Sequence, residues 1–449
     1  MKKIKAMSTI TAVSLATILT FTGCSSGNNS ASSIGNEGAK PTVSATPVVT
    51  AKNDTTDAKK GAVSVDFYMD KVDWAANLDK VGALAAQSGG AGFKSVTFSD
   101  TTSYQTTIKQ SLAGNNPPDI LSWWSGFRME DMVKSGAIAD MTDEWKKYQA
   151  EGLNQDLAKA FTFNGKIYGA PMYVAYWNVF YNKKVFDQYG LKPPKTWDEF
   201  MNVVKTLKDK GVTPLANPFE GRWPSFIWFE EFLVHSNPDL YEKLMVGEAS
   251  YTDPGVVEAM KLWKSFIDAG YFGKPGDLSK ELLPDFAQGK TGMYLIGQWF
   301  SSSLLQSGLK AGEDYDAFIL PAIKDGVGNV AIYETAPIMV ADKGKHKNDA
   351  FAAIQNFYKK DTQQLWSESQ GFAPLLPGVQ SKNAVTDKVF NDIQSSKYRL
   401  VQRYWEATPP DISEFAVDQF SKFILDPTKY MEVLQTIDDH AKKYWASRK

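Results

Sequence analysis

From Val63 onward the chain alternates short apolar runs with amphipathic stretches. Residues 64–69 (Ser-Val-Asp-Phe-Tyr-Met) read as a strand, 78–87 as a helix, and 95–99 (Ser-Val-Thr-Phe-Ser) as a second strand. Residues 104–112 then read as a helix and 118–122 (Pro-Asp-Ile-Leu-Ser) as a third strand. This β-α-β-α-β order predicts an α/β sheet with parallel strands. Ligands of such sheets bind beyond the carboxyl ends of the strands. Here those ends are 70–74, 100–103 and 123–127, and two of the three carry tryptophan.

Later helices are marked by their ends. Thr196-Trp-Asp-Glu199 is a capping box, followed by Phe200, Val203, Val204 and Leu207 on one face and Gly211 as terminator. Pro254 opens another helix with Val256, Met260, Trp263 and Ile267 on its buried stripe, so Trp263 reads as core. A last helix from about Pro427 buries Tyr430, Leu434, Ile437 and Ala441. No internal repeat is visible, which disfavours solenoids and propellers.

The first residues follow a different pattern. Lys2, Lys3 and Lys5 precede a moderately apolar run over 6–21, then Thr22-Gly23-Cys24 and abruptly polar sequence. This is the arrangement of a secretory signal. A membrane span is disfavoured, because Ser8, Thr9, Thr11, Ser14, Thr17 and Thr20 dilute the run and no second span follows. Small residues before the cysteine resemble a bacterial lipoprotein signal, with 1–23 removed and Cys24 acylated as the new N-terminus. Phe21 departs from that pattern, which usually has Leu. An ordinary secreted protein with a stray cysteine is the alternative. Residues 24–62 are rich in Ser, Thr, Gly, Asn, Ala and Pro without apolar periodicity, and are expected to form a disordered tether. As a coil it would span on the order of 35 Å.

Composition narrows the chemistry. A length of 449 residues suggests roughly two or three domains. Net charge is −2, and −5 once the three leader lysines are set aside, so there is no basic field to attract nucleic acid. The single cysteine excludes an internal disulfide and any cysteine-based zinc or iron–sulfur site. His235, His346 and His440 are far apart, and no HExxH, Walker A or GxSxG pattern occurs. No cofactor or metal is expected, although a carboxylate site for calcium stays open. Glycosidases need only two placed carboxylates and are not excluded.

A series of motifs then becomes specific when taken in order. It begins with Leu112-Ala-Gly-Asn-Asn-Pro-Pro-Asp-Ile120, Gly136-Ala-Ile-Ala-Asp-Met-Thr142 and Asn164-Gly-Lys-Ile-Tyr-Gly-Ala-Pro171. Val179-Phe-Tyr-Asn-Lys183, Pro194-Lys-Thr-Trp-Asp-Glu-Phe200, Phe286-Ala-Gln-Gly-Lys-Thr-Gly-Met293 and Gly297-Gln-Trp299 follow. From about Val65 to the C-terminus the chain resembles the sugar-binding lipoproteins of ABC importers, the maltose-binding and multiple-sugar-binding family. The resemblance implies a two-lobed, periplasmic-binding-protein-like (type II) α/β fold with a ligand cleft between the lobes. Crossings near Val174, Leu320-Pro321 and 371–374 would divide the chain into an N-terminal lobe of 63–173 plus 322–372 and a C-terminal lobe of 174–321 plus 373–449.

Sugars present apolar C–H faces and a rim of hydroxyls, so a sugar site needs flat aromatic platforms with a fringe of carboxylates, amides and guanidiniums. The chain has 13 Trp, 19 Tyr and 26 Phe, most of which core packing can absorb, so position must separate the two uses. Trp123 and Trp124 follow the third strand, and alternation sends them to opposite sides; the resemblance puts Trp123 in the cleft. Asp70, Asp73 and Trp74 follow the first strand, where the family contributes polar contacts and often an aromatic. Trp299 stands where the family places a platform on the opposite lobe. Tyr176 and Trp177 lie at the first crossing, and alternation lets one of them face ligand. Glu220 and Trp223 belong to a polar and aromatic loop after a strand at 214–217. Glu334 follows an apparent strand at 329–333, and Phe372 sits by the third crossing. Arg403, Tyr404 and Trp405 either reach the rim or form a surface loop.

The resulting expectation is a non-enzymatic, lipid-anchored, extracytoplasmic receptor, monomeric, that delivers an oligosaccharide to the transmembrane subunits of an ABC permease. Tryptophans on both lobes favour at least two sugar rings. A same-fold receptor for a polyamine, ferric ion or glycerol phosphate is the first alternative, and a secreted carbohydrate-active enzyme the second.

Overall fold

Burial alternates along the first strand as its sequence dictates: Val65, Phe67 and Met69 are buried, while Ser64 and Asp66 face solvent. The computed structural model describes residues 62–219 and 222–448. The leader, Cys24, the tether through residue 61, and Glu220 lie outside the described residues.

The strands in chain order are β1 (Val63–Met69), β2 (Ala91–Thr97), β3 (Ile120–Ser122), a small hairpin of β4 (Thr162–Phe163) and β5 (Lys166–Ile167), and β6 (Ala170–Asn182). After them come β7 (Thr213–Leu215), β8 (Thr291–Gly297), β9 (Tyr315–Phe318), β10 (Val330–Val340) and β11 (Arg399–Gln402). Apart from the hairpin they form one mixed sheet in the order β2-β1-β3-β10-β6-β8-β7, with β11 beside β10 and β9 beside β6. β1 is parallel to both β2 and β3, as its β-α-β-α-β pattern requires, whereas β10 is antiparallel to β3 and β6.

Strand β6 runs through both parts of the sheet. Its first half, 170–176, pairs with β10, and its second half pairs with β8 over 177–181 and with β9 over 179–182. Twelve of its 13 residues are buried, Tyr173 alone being partly open. Helices cover the flanks: Ala75–Gly89 and Lys347–Phe357 lie on β1 and β2, while Trp197–Asp209 packs on β7. At the far end Pro410–Leu425 packs against Tyr430–Ala446, which in turn meets Pro254–Asp268. No helix among the described residues is long and apolar enough to cross a membrane.

Some boundaries differ from the pattern-based reading for identifiable reasons. β2 begins at Ala91, not Ser95, because its small first residues let the preceding helix approach at backbone distance. A Cβ on Gly82 would lie 1.9 Å from the carbonyl oxygen of Phe93, and one on Gly92 would lie 2.0 Å from that of Gly82. Strand propensity is poor there, and close packing wins. Likewise β10 does not stop at Tyr333 but runs on to Val340, with a register irregularity at Ala336/Pro337 that absorbs the proline. Glu334 therefore sits inside a strand. In the helix Pro254–Asp268 the buried stripe ends at Phe266, after Val256, Ala259, Met260 and Trp263; Ile267 is only half-buried. The capping box forms with a variation: Thr196 Oγ1 accepts from the Glu199 amide, while the Glu199 carboxylate accepts from the amide of Lys195.

Candidate functional site

The carboxyl ends of three strands deliver side chains to one cavity of about 750 Å³. β1 is followed by Asp70, whose Oδ1 accepts from Lys71 Nζ at 2.9 Å and whose Oδ2 accepts from Thr101 Oγ1 at 3.1 Å. A single 3₁₀ turn, Val72–Trp74, then sets Trp74 edge-on against Tyr173 (5.4 Å between centroids) and Phe372 (5.0 Å). β3 is followed by Trp123 and Trp124, whose rings meet at 78°. Trp123 is nearly buried and donates its indole N–H to the carbonyl of Arg128 at 2.9 Å, while Trp124 is more open and carries Lys71 Nζ 5.8 Å from its ring centre.

β8 is followed by Gly297-Gln298-Trp299. Gly297 has an ordinary extended backbone (φ −60°, ψ 144°), so its lack of a side chain serves something other than the turn. A Cβ there would stand 2.3 Å from Trp299 Nε1, which means that the indole folds back directly over the glycine. From that position Trp299 donates to the carboxylate of Glu334 on β10. Trp223 leans on Trp299 at 6.2 Å and on Trp177 at 6.4 Å.

The polar floor comes from β10 and the segment after β11. Arg403 forms ion pairs with Glu334 and Glu406, donating to Glu406 through Nε at 2.8 Å and also through Nη2. Both carboxylates are buried, and Arg403 lies 5.6 Å from the ring centre of Trp177. Burial pushes the Glu334 carboxyl up to about 7 against the pull of Arg403, and Glu406 adds to the rise. Burial disfavours the Arg403 cation, but Glu334 and Glu406 outweigh it and hold its pKa above the ordinary arginine value. Next in the chain, Trp405 accepts the Arg128 guanidinium on its face at 4.1 Å, and Arg128 also bonds Glu414 at 3.0 Å.

An apolar wall of tryptophans with a fringe of paired charges, at the ends of strands from both parts of a mixed sheet, is the geometry of a small-molecule receptor. The profile of the bacterial extracellular solute-binding protein family matches residues 94–364, more than half of the chain. The chain belongs to that family. It is 26% identical over 323 residues to an uncharacterised ABC transporter extracellular-binding protein of Pyrococcus horikoshii, covering 70% of this chain and 69% of that one. A probable sugar-binding periplasmic protein of Brucella suis is 26% identical over 237 residues, 50% of this chain and 54% of its relative. Among solved structures, a chitin oligosaccharide binding protein superposes with a TM-score of 0.69 at 25% identity, over 85% of this chain and 99% of that one. The fold is accordingly the two-lobed α/β fold of solute-binding proteins, with a mixed sheet.

In this solute-binding protein Asp70, Trp74, Trp123, Trp124, Trp223, Trp299, Glu334 and Phe372 all line the one cavity. Tyr176 and Trp177 do not. Tyr176 is buried opposite Tyr333 in the sheet and hydrogen-bonds Gln394. Trp177 points the other way and forms a second layer behind Trp223 and Arg403. The partly open residue of β6 is Tyr173, which shares the face of Trp177 and borders the cavity. Arg403 and Trp405 line it as well, whereas Tyr404 is buried and bonds Tyr251 at 2.7 Å. Sequence reasoning named neither Glu406 nor the amide and hydroxyl fringe of Asn77, Ser302, Ser303, Gln306 and Gln370. Position held one signal for the fringe: Ser302 and Ser303 open the helix that follows Trp299.

Proposed function

We propose that this chain is the substrate-binding component of an ABC importer: it captures an oligosaccharide in the tryptophan-walled cavity and passes it, chemically unchanged, to permease subunits. The observation that carries the reading is the placement of Trp74 and Trp124 after strands of one part of the sheet and Trp223 and Trp299 on the other, around a common cavity. Platforms on two sides suit a ligand of at least two rings, each ring gaining about 0.5–1.5 kcal/mol beyond its buried area. Hydrogen bonds to charged groups, about 1.5–3 kcal/mol each, supply the rest of a micromolar affinity near −8 kcal/mol. Relatives named for sugar and chitin oligosaccharide binding support the ligand class. The lobes would be 63–173 with 322–372 and 174–321 with 373–449, closing over the sugar by hinge motion. Acylated Cys24 would hold the monomeric receptor at the outer surface of the membrane, since two acyl chains anchor stably where one does not.

The test is intrinsic tryptophan fluorescence of the purified full-length chain, titrated with neutral di- and oligosaccharides while chromatography follows the sugar. Saturable shifts with intact sugar are expected. Consumption of the sugar would overturn the receptor reading in favour of an enzyme, and silence across the panel would overturn the saccharide assignment. Mass spectrometry of the N-terminal peptide tests the anchor, which predicts diacylglycerol on Cys24.

A further inference from the structure

The charges that border the cavity are unequally matched. Among the described residues, three cations, Lys71, Arg222 and Arg403, face five carboxylates. Each cation is already committed within the protein. Lys71 bonds Asp70 at 2.9 Å, and Arg222 bonds Asp418 at 2.6 Å and the carbonyl of Glu414 at 3.3 Å. Arg403 is shared by two carboxylates, Glu334 and Glu406, so the deepest charged cluster, itself buried, carries more acid than base. Arg128, just behind the wall, is taken up by Glu414 and the face of Trp405.

An anionic group brought into such a cavity loses its water and meets, among the described residues, no cation that is not already satisfied, while the floor repels it. Electrostatic complementarity acts on specificity chiefly through such repulsion. A hydroxyl, by contrast, can donate to Glu334 or Glu406 without changing the charge of the cluster. The buried amide Nε2 of Gln370, which has no partner among the described residues and belongs to a residue on the cavity wall, adds a neutral donor for the same purpose.

We infer that the site takes uncharged or cationic saccharides and rejects anionic ones, whether the charge is a uronate carboxylate or a sugar phosphate. The inference rests on the saccharide reading above and sharpens it to a charge class. Tryptophan fluorescence and calorimetry at pH 7.5, applied to the full-length chain, would compare maltose, cellobiose, di-N-acetylchitobiose and galactobiose with the unacetylated glucosamine dimer, digalacturonic acid and maltose phosphate. Binding of at least one neutral or amino sugar, with the acids weaker by about a hundredfold or more, is the expected result. Digalacturonate or a sugar phosphate binding as tightly as the best neutral sugar, or binding alone, would overturn the charge rule while leaving the saccharide reading intact. Failure of every sugar would remove both. Glu406→Gln leaves Arg403 with one carboxylate and should narrow the gap between acid and neutral sugar about tenfold or more. A variant that still binds the neutral sugar with an unchanged gap would also refute the rule, and if the variant does not fold, the wild-type panel decides.

Discussion

Replacing Gly297 with alanine isolates the role of the Trp299 platform from that of overall stability. The new methyl carbon would stand 2.3 Å from Trp299 Nε1 and 2.8 Å from Cδ1, far inside van der Waals contact, so the indole has to leave its place. The backbone has no reason to move, because φ −60° and ψ 144° suit alanine as well as glycine. One face of the displaced ring, about a quarter of the 150–250 Å² that a large aromatic buries, is roughly 50 Å². At about 25 cal/mol per Å² this is about 1.2 kcal/mol of lost contact with ligand. The ring-specific contribution of about 0.5–1.5 kcal/mol goes with it. The expected loss is about 1.7–2.7 kcal/mol, or roughly fifteen- to ninetyfold in Kd. Stability should fall by only about 1 kcal/mol, since the reduced freedom of the unfolded chain offsets part of the lost contacts of Trp299 with Glu334 and Trp223. The assay pairs calorimetric titration of the best neutral oligosaccharide with urea unfolding, and Trp299→Ala serves as the reference for complete loss of the platform. Unchanged affinity in Gly297→Ala would refute the argument that this glycine seats the ring. A fall in affinity accompanied by a comparable fall in unfolding free energy would refute it too, by showing a general defect.

Three further outcomes follow from the same geometry. Arg403→Leu strands Glu334 and Glu406 as buried, unpaired carboxylates and should cost about 3–5 kcal/mol in urea unfolding at pH 7.5, and a loss below 1 kcal/mol would contradict the hub role of the arginine. Burial raises the carboxyls of Glu230, Glu231 and Glu334 above the unfolded value of 4.5, the last to about 7, so the folded chain holds more protons than the unfolded one across that window. Their stabilisation is complete below pH 4.5 and lost as pH rises through the folded values; unfolding free energy should therefore be larger at pH 5 than at pH 8, with a smaller difference in Glu230→Gln, and a rise from pH 5 to pH 8 would count against it. Tyr176→Phe removes the hydrogen bond to Gln394 and should lower stability by about 1 kcal/mol. Calorimetry should find its sugar affinity within about twofold of wild type, because the ring lies away from the cavity.

What could be read from the sequence was what local pattern encodes. Strand ends are legible, so Asp70, Trp74, Trp123 and Trp124 could be named, and the ordered motifs carried Trp299. The central strand was less legible for a physical reason: β6 is flanked by strands on both edges and buried on both faces, so alternation along Tyr173-Val-Ala-Tyr-Trp177 separates two sides without saying which is open. The open position is Tyr173, and the equivalent one two strand periods later, Trp177, is covered by Trp223 and Arg403, which come from remote segments. Glu334 was expected just after a strand at 329–333; burial beside Arg403 and a bulge at Ala336/Pro337 let the strand continue. Glu406 had no local signature at all, since its meaning depends on an arginine one helical turn earlier and a glutamate on β10.

The residues around the floor of the cavity close into a ring of contacts. Glu334 pairs with Arg403; Arg403 lies over Trp177; Trp177 backs Trp223; Trp223 leans on Trp299; and the indole of Trp299 returns to Glu334. These five come from β10, the segment after β11, β6, the loop after β7 and the end of β8, so each is held by two neighbours from other parts of the chain. In such a circuit a single side chain has few independent alternatives, because moving it breaks two contacts at once. Rigid platforms reduce the ordering cost of binding, which is what lets a few rings and hydrogen bonds yield useful affinity. A receptor that must release its ligand intact needs this kind of stiffness in its floor together with freedom elsewhere.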